Sequence, residues 1–112
     1  MSPLTTHVLD VSLGRPARGV PVTLEARDGD TYRHLARGVT DDDGRVKTLL
    51  PEGSLSAGVY RLTFDTAAYF SALGTAGFYP EVSVVFEVTR PTEHHHVPLL
   101  LSPFGYSTYR GS

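Results

Sequence analysis

Apolar and polar residues trade places with a period of two along much of this chain. Val20, Val22, Leu24 and Ala26 alternate with Thr23, Glu25 and Arg27. Successive side chains of a strand point to opposite faces, so this alternation predicts a half-buried β-strand. In residues 81–88, Val82, Val84, Phe86 and Val88 alternate with Glu81, Ser83 and Glu87 in the same way. At the start, a strand over 4–11 places Thr5, His7, Leu9 and Val11 on one face. Turn signals divide these runs. Asp28-Gly29-Asp30 predicts a hairpin into a strand over 32–39, because Asp-Gly suits the tight turns that join twisted strands. Asp41-Asp42-Asp43-Gly44 predicts a second tight turn that delivers Arg45 at its exit, with a very short strand over 45–47. Residues 49–58 read as loop and 59–65 as a further strand. Ala67 to Leu73 predicts the only helix, opened by Asp65 or Thr66 as N-cap and closed by Gly74. The chain ends in a hairpin over 94–102 and 105–110. There His95, Val97, Leu99 and Leu101 make the better core face and leave His94, His96, Pro98 and Leu100 outward. In its final strand Ser107 and Tyr109 share a face, opposite Tyr106, Thr108 and Arg110. Seven to eight short strands, one short helix and no internal repeat predict an all-β fold, an antiparallel β-sandwich, with a barrel as the fallback.

At 112 residues the chain predicts a single domain over 1–112, of a size at which a partner subunit adds useful burial. A net charge of -2 argues against nucleic acid or an anionic membrane as partner, since either needs a clustered basic face. The absence of cysteine excludes disulfides, thiolate zinc sites and cysteine nucleophiles. The opening residues show no charged lead and no apolar signal region, and nowhere do roughly eighteen apolar residues run together. The expectation is a soluble, unexported, cytoplasmic protein, complete as given. Lys47 is the single lysine among ten basic residues, a bias toward forked donors that suits carboxylate or carbonyl recognition and equally suits surface ion pairs.

Each candidate group has a plain structural reading beside the chemical one. A lone histidine on a strand edge is usually an exposed polar residue and nothing more. Two histidines on outward faces can nevertheless share base and acid roles near neutral pH, and an arginine can hold a carbonyl-rich or anionic ligand in its fork. Such a set suits hydrolysis by activated water; there is no G-x-S-x-G elbow to support an acyl-enzyme. His7, His94 and His96 could alternatively hold zinc, but no carboxylate or cysteine accompanies them at familiar spacing, so neither metal nor cofactor is called for. The aspartate run lacks the alternating oxygens and distal glutamate of a calcium loop and reads as a turn. Tyr69, Phe70, Phe78 and Tyr79 read as packing residues, and Arg15, Arg18, Arg33, Arg37 and Arg61 as solvated surface.

LTTHVLDVSLGRPARGVPV, GVYRLTFDTAAYFSALG followed by FYPEVSVVFEV, and HVPLLLSPFGYSTYRGS resemble the 5-hydroxyisourate hydrolases, the enzymatic branch of the transthyretin-related family. The resemblance spans essentially the whole chain. Its most specific part is the ending Tyr109-Arg110-Gly111-Ser112, which the hormone carriers of the same fold lack. It implies an eight-stranded sandwich with one short helix, assembled as a homotetramer, a dimer of dimers, with active sites in a channel between dimers. It also implies His7, Arg45 and His96 as catalytic residues and Tyr109, Arg110, Gly111 and Ser112 as the substrate-binding ending. The reaction implied is hydrolysis of 5-hydroxyisourate, a small-molecule substrate from urate oxidation, to 2-oxo-4-hydroxy-4-carboxy-5-ureidoimidazoline. His95 stands where the family commonly has an aromatic, and by parity it points away from the channel face. The competing expectation is a non-enzymatic small-molecule carrier, which would want an apolar channel rather than this load of ionisable groups.

Overall fold

A computed structural model describes residues 2–112. Among the described residues, nine strands in two sheets packed face to face and one helix make up the fold. The first sheet holds β1 (Leu4–Asp10), β2 (Arg15–Pro16), β5 (Arg45–Val46), β8 (His95–Ser102) and β9 (Gly105–Thr108). Its strand order is β2-β1-β8-β9, with β5 also paired to β1. The second sheet runs β4-β3-β6-β7, built from β3 (Pro21–Asp28), β4 (Thr31–Val39), β6 (Gly58–Phe64) and β7 (Val82–Val88). The expected sandwich and the single helix are present, the very short strand expected over 45–47 is β5, two residues long, and the one extra strand, β2, is also two residues.

The period-two faces explain the layering. In β1 the buried set is Leu4, Thr6, Val8 and Asp10, while Thr5, His7 and Leu9 face outward and are half-buried. In β8, His95, Val97, Leu99 and Leu101 go to the core. Leu4, Leu24, Leu62, Phe64, Leu99 and Leu101 are almost wholly removed from water between the sheets, and burial of each such side chain contributes about 1.5–3 kcal/mol. Phe86 stacks on Tyr60, ring centroids 5.9 Å apart. Helix α1 (Thr66–Ala72) starts where the Asp65 carboxylate accepts a hydrogen bond from the Ala68 N–H at 3.0 Å.

One pairing is parallel. β1 and β8 run in the same direction, in continuous register from Leu4 opposite His95 to Asp10 opposite Leu101. A parallel neighbour requires a long crossover, and here the whole second sheet and α1 supply it. The other side of β1 is shared by two short strands: β5 lies along Thr6 and His7, and β2 along Leu9 and Asp10. Residue Val8, between them, donates its N–H to Gly44 O at 2.7 Å and accepts at its carbonyl from the Ala17 N–H at 2.9 Å.

Proline sets the end of β9. Leu99 and Leu100 pair with Thr108 and Ser107, and the same register reappears at an isolated bridge between His96 and Gly111. Pro98 lies between, with no N–H to offer, and the Thr108 hydroxyl occupies its carbonyl at 2.6 Å. The regular ladder therefore stops at Thr108, short of the expected end at Arg110.

The buried Asp10 joins the helix to the first sheet. Tyr69 donates its O–H to Asp10 Oδ2 at 2.7 Å, while Oδ1 accepts from the Ser12 hydroxyl and from the Ser12 and Leu13 N–H groups. Burial alone would raise the Asp10 pKa; the hydrogen bonds from Tyr69, Ser12 and Leu13 outweigh it and hold the carboxyl below its ordinary 3.8. A carboxylate with a depressed native pKa stabilises the fold above its unfolded pKa and loses that contribution as pH falls through the native one. Tyr69→Phe leaves Oδ2 buried without its donor. It is expected to cost about 1–3 kcal/mol in urea unfolding and to weaken the acid-side loss of stability below pH 3.8.

Candidate active site

The parallel register brings the outward faces of β1 and β8 side by side. Thr5 lies opposite His96, and His7 opposite Pro98. Across β1's other edge, His7 is the register partner of Arg45. Residues from the beginning, middle and end of the chain thus share one outward surface. The His7 and His96 rings are 6.5 Å apart and inclined at 35°, a gap that admits a water or a reacting atom. His94 lies nearly parallel to His96 at 6.4 Å. Beside them opens a cleft of about 550 Å³ lined by Thr5, Thr6, Arg45, Lys47 and His94.

The turn before β5 aims Arg45. Asp41 accepts from the Asp43 and Arg45 N–H groups through Oδ1, at 2.9 and 3.0 Å. The Asp41 N–H in turn donates to Arg45 O at 2.9 Å. Asp41 therefore organises the loop as an internal template, and Lys47 sits 3.8 Å from the carboxylates of both Asp41 and Asp43.

Both facing histidines are biased toward the neutral ring. Burial lowers the pKa of His96 from 6.5, and Arg45, His7 and His94 lower it further against the opposing influence of the Thr5 main chain, which favours the protonated ring. Burial and then Arg45 lower that of His7, opposed by the Asp43 main chain, which favours the protonated ring, and by the charges of Asp41 and Asp43. A neutral imidazole at pH 7 is a competent proton acceptor. Arg45 thus acts twice, as a cation in the cleft and, after burial, as the second influence that biases the rings toward the neutral form.

The ending of the chain packs on His96. The Gly111 N–H donates to His96 O at 2.8 Å. A Cβ at Gly111 would lie 2.6 Å from His96 Cδ2, so only glycine lets the backbone close over the imidazole. The register puts Tyr109 and Gly111 on the His96 face. Arg110 falls on the other side, where its Nη2 reaches Glu93 Oε1 at 3.2 Å. Ser112 follows at the exposed end. Thus Tyr109 and Gly111 meet the histidine face, and Arg110 braces the ending from the opposite side. His95 is buried, its Nδ1 2.9 Å from Glu93 O. Among the described residues no group of three or more His, Cys, Asp or Glu could hold a metal ion, and no helix is long and apolar enough to cross a membrane. Two contributors are absent from the set singled out in the sequence: Asp41, whose turn position carries some signal, and Thr5, whose only signal is sharing the strand face of His7.

The two-sheet sandwich carries two histidines biased toward the neutral ring and an arginine on an outward face beside an open cleft, an arrangement suited to binding or hydrolysing a small molecule. The family model described as HIUase/Transthyretin family matches residues 4–111. The chain belongs to that family. It is 48% identical over 109 residues to the 5-hydroxyisourate hydrolase of Salmonella typhimurium, covering 97% of this chain and 80% of that protein. The solved 5-hydroxyisourate hydrolase of Klebsiella pneumoniae superposes with a TM-score of 0.83 at 40% identity, over 97% of this chain and 98% of that one. Sea bream transthyretin in complex with thyroxine superposes with a TM-score of 0.91 at 37% identity, over 98% and 95% of the two chains. Backbone likeness alone therefore does not separate these two solved proteins as models for this chain.

Proposed function

We propose that this chain catalyses the ring-opening hydrolysis of 5-hydroxyisourate to 2-oxo-4-hydroxy-4-carboxy-5-ureidoimidazoline. The observation that carries the reading is the pairing of His7 and His96, both held toward the neutral ring, with Arg45 on the same face. A histidine of the pair takes a proton from water, and the hydroxide forms a C–O bond to the ring carbonyl carbon. Negative charge builds on the carbonyl oxygen, where the Arg45 guanidinium is placed to stabilise it. The tetrahedral centre collapses, the ring C–N bond breaks, and the imidazolium returns its proton to the departing nitrogen. Tyr109 shapes the wall beside His96, and Ser112 ends the segment that Gly111 ties down. A carrier would gain little from placing a half-exposed guanidinium beside two proton acceptors.

The assay is direct. 5-Hydroxyisourate made in situ with urate oxidase decays spontaneously, and added protein is expected to accelerate the decay. No acceleration would move the reading to a small-molecule carrier. Arg45→Gln removes the charge that lowers both histidine pKa values, so the acid limb of the kcat/KM profile is expected to move upward, toward pH 6.5. The sign is fixed: with the cation gone the rings protonate at higher pH and the base is lost earlier on acidification. An acid limb unmoved in a residual-activity profile would remove Arg45 from that role.

The same reading has four chains assembled as a dimer of dimers, so that paired faces close the cleft into a channel. Val11, Leu13, Phe78, Val85 and Phe104 are each at least 50% exposed in the single chain, the kind of apolar surface that association covers. Light scattering is expected to give four times the mass of one chain. A cytoplasmic location belongs to the same reading, and fractionation checks it.

A further inference from the structure

The Thr5 hydroxyl stands between two histidine rings. Its oxygen is 2.8 Å from Nδ1 of His96 and 3.1 Å from Nε2 of His94. A hydroxyl has one proton to give and two lone pairs, so it cannot donate to both rings and must accept from at least one. It can accept from both, which puts hydrogen on Nδ1 of His96; where its proton is used between the rings, two senses are open. In the first, His96 donates its Nδ1–H to Thr5 and Thr5 donates to His94, which leaves Nε2 of His96 as a free lone pair. In the second, His94 donates, Thr5 donates to Nδ1 of His96, and Nε2 of His96 carries the proton.

The surroundings favour hydrogen on Nδ1 of His96. The main chain of Thr5 also favours the protonated form of the ring. Only a carbonyl acts in that sense, and a carbonyl can only accept. Nδ1 is the ring nitrogen that lies against Thr5, 2.8 Å from its hydroxyl, and is the one assigned the hydrogen. The backbone supports the arrangement, because the parallel register places Thr5 directly opposite His96, and a β-branched side chain has few rotamers to choose from. On the other side Gly111 packs against the ring edge, with Cδ2 only 2.6 Å from where a Cβ would be. The charged and titratable groups facing the ring are His7 from β1, Arg45 from β5 and His94 from the approach to β8.

We infer that Thr5 is a positioning residue that fixes His96 in its Nδ1–H tautomer, by accepting from His96 and donating to His94, and so makes Nε2 of His96 the proton acceptor for the attacking water. The inference rests on the hydrolytic reading of this face and chooses between its two histidines. During the reaction Nε2 gains the water proton, the ring becomes an imidazolium, and the Nδ1–H stays on Thr5. The proton leaves again from Nε2 to the departing nitrogen, and none passes through Thr5. His94 is the second support, giving the Thr5 proton somewhere else to point.

Thr5→Val keeps the branched shape and removes the hydroxyl; Thr5→Ser keeps the hydroxyl. In Thr5→Val kcat is expected to fall about tenfold with KM little changed, the size of one hydrogen bond that strengthens when the ring takes charge. Ser is expected to restore most of it. The readout that a merely structural role would not move is the ¹⁵N spectrum of the imidazoles at neutral pH. In the unaltered protein His96 should show a protonated-type Nδ1 and a bare-type Nε2, and Thr5→Val should shift population to the opposite tautomer. His94→Leu should move the His96 pattern in the same direction, since the Thr5 proton is then free to turn onto Nδ1. A His96 spectrum in the unaltered protein with hydrogen on Nε2 would overturn the inference even if no variant folded. So would Thr5→Val with full kcat, or Thr5→Ser without rescue. A protein with the expected tautomer and no effect on 5-hydroxyisourate decay would instead sink the hydrolytic reading and leave the tautomer assignment standing.

Discussion

His96→Asn is expected to cut turnover of 5-hydroxyisourate by about 100- to 10,000-fold, the range typical for loss of a general base, while leaving the fold and the subunit mass in place. The reason for the first half is chemical: asparagine offers no proton acceptor that titrates near neutral pH, and His96 is the ring that stands 6.5 Å from His7 and 6.4 Å from His94, which lines the cleft. The reason for the second half is structural. His96 is only half-buried on the outward face. The contact that ties the chain ending to β8 runs through its main-chain carbonyl, not its ring. Asparagine keeps that carbonyl and retains a polar group that can face the Thr5 hydroxyl. Urea unfolding is therefore expected to change by about 1 kcal/mol or less, within the ordinary range for partly exposed substitutions. Near wild-type hydrolysis would remove His96 from the catalytic set. Loss of activity with loss of assembly would leave the ring a structural part.

Much of this site can be read from period-two parity, and the reason is geometric. Once Val97, Leu99 and Leu101 are assigned to the core, His96 has no choice but to face out, and the same step turns His95 inward. His7 follows from Leu4 and Val8 in the same way. The tight turn ahead of Arg45 is equally local, because four consecutive residues of turn chemistry leave little else for the chain to do. What sequence does not carry is which strands become neighbours. The parallel β1–β8 pairing joins segments about ninety residues apart, and no local preference encodes it; it follows from how the two sheets close on a shared core. That pairing sets Thr5 opposite His96, which is why Thr5 passes unnoticed on a strand face where it looks like any polar residue. The fate of Arg110 is hidden for a related reason. Its place in the ending is visible, but its tie to Glu93 depends on the turn before β8 lying beside the last residues of the chain.

Gly44→Ala is expected to be among the most damaging single-methyl additions in the molecule, costing about 2–5 kcal/mol and most of the activity. Two penalties combine. Gly44 has φ of +75°, a left-handed conformation that costs an L-residue about 1–2 kcal/mol. A Cβ there would also lie 2.4 Å from the carbonyl oxygen of Val8 and 3.2 Å from the Ala17 N. Those atoms are backbone, already joined to each other by the Ala17-to-Val8 hydrogen bond, so they cannot swing aside as a flexible side chain would. Relief has to come from moving β5 off β1, at an overpacking cost of about 1–3 kcal/mol. Arg45 immediately follows, and its register opposite His7 is what places the guanidinium at the histidine pair. The methyl therefore strains the fold and misplaces the cation at once. Gly14→Ala is the control, since φ there is +69° with nothing within 4 Å of an added Cβ. It carries only the conformational cost of about 1–2 kcal/mol and leaves the face intact. Urea unfolding at matched protein concentration, with 5-hydroxyisourate decay measured on the folded fraction, separates the two variants. Equal losses for Gly14→Ala and Gly44→Ala, with activity preserved in both, would show that β1 and β5 tolerate separation and that Arg45 is not aimed by this turn.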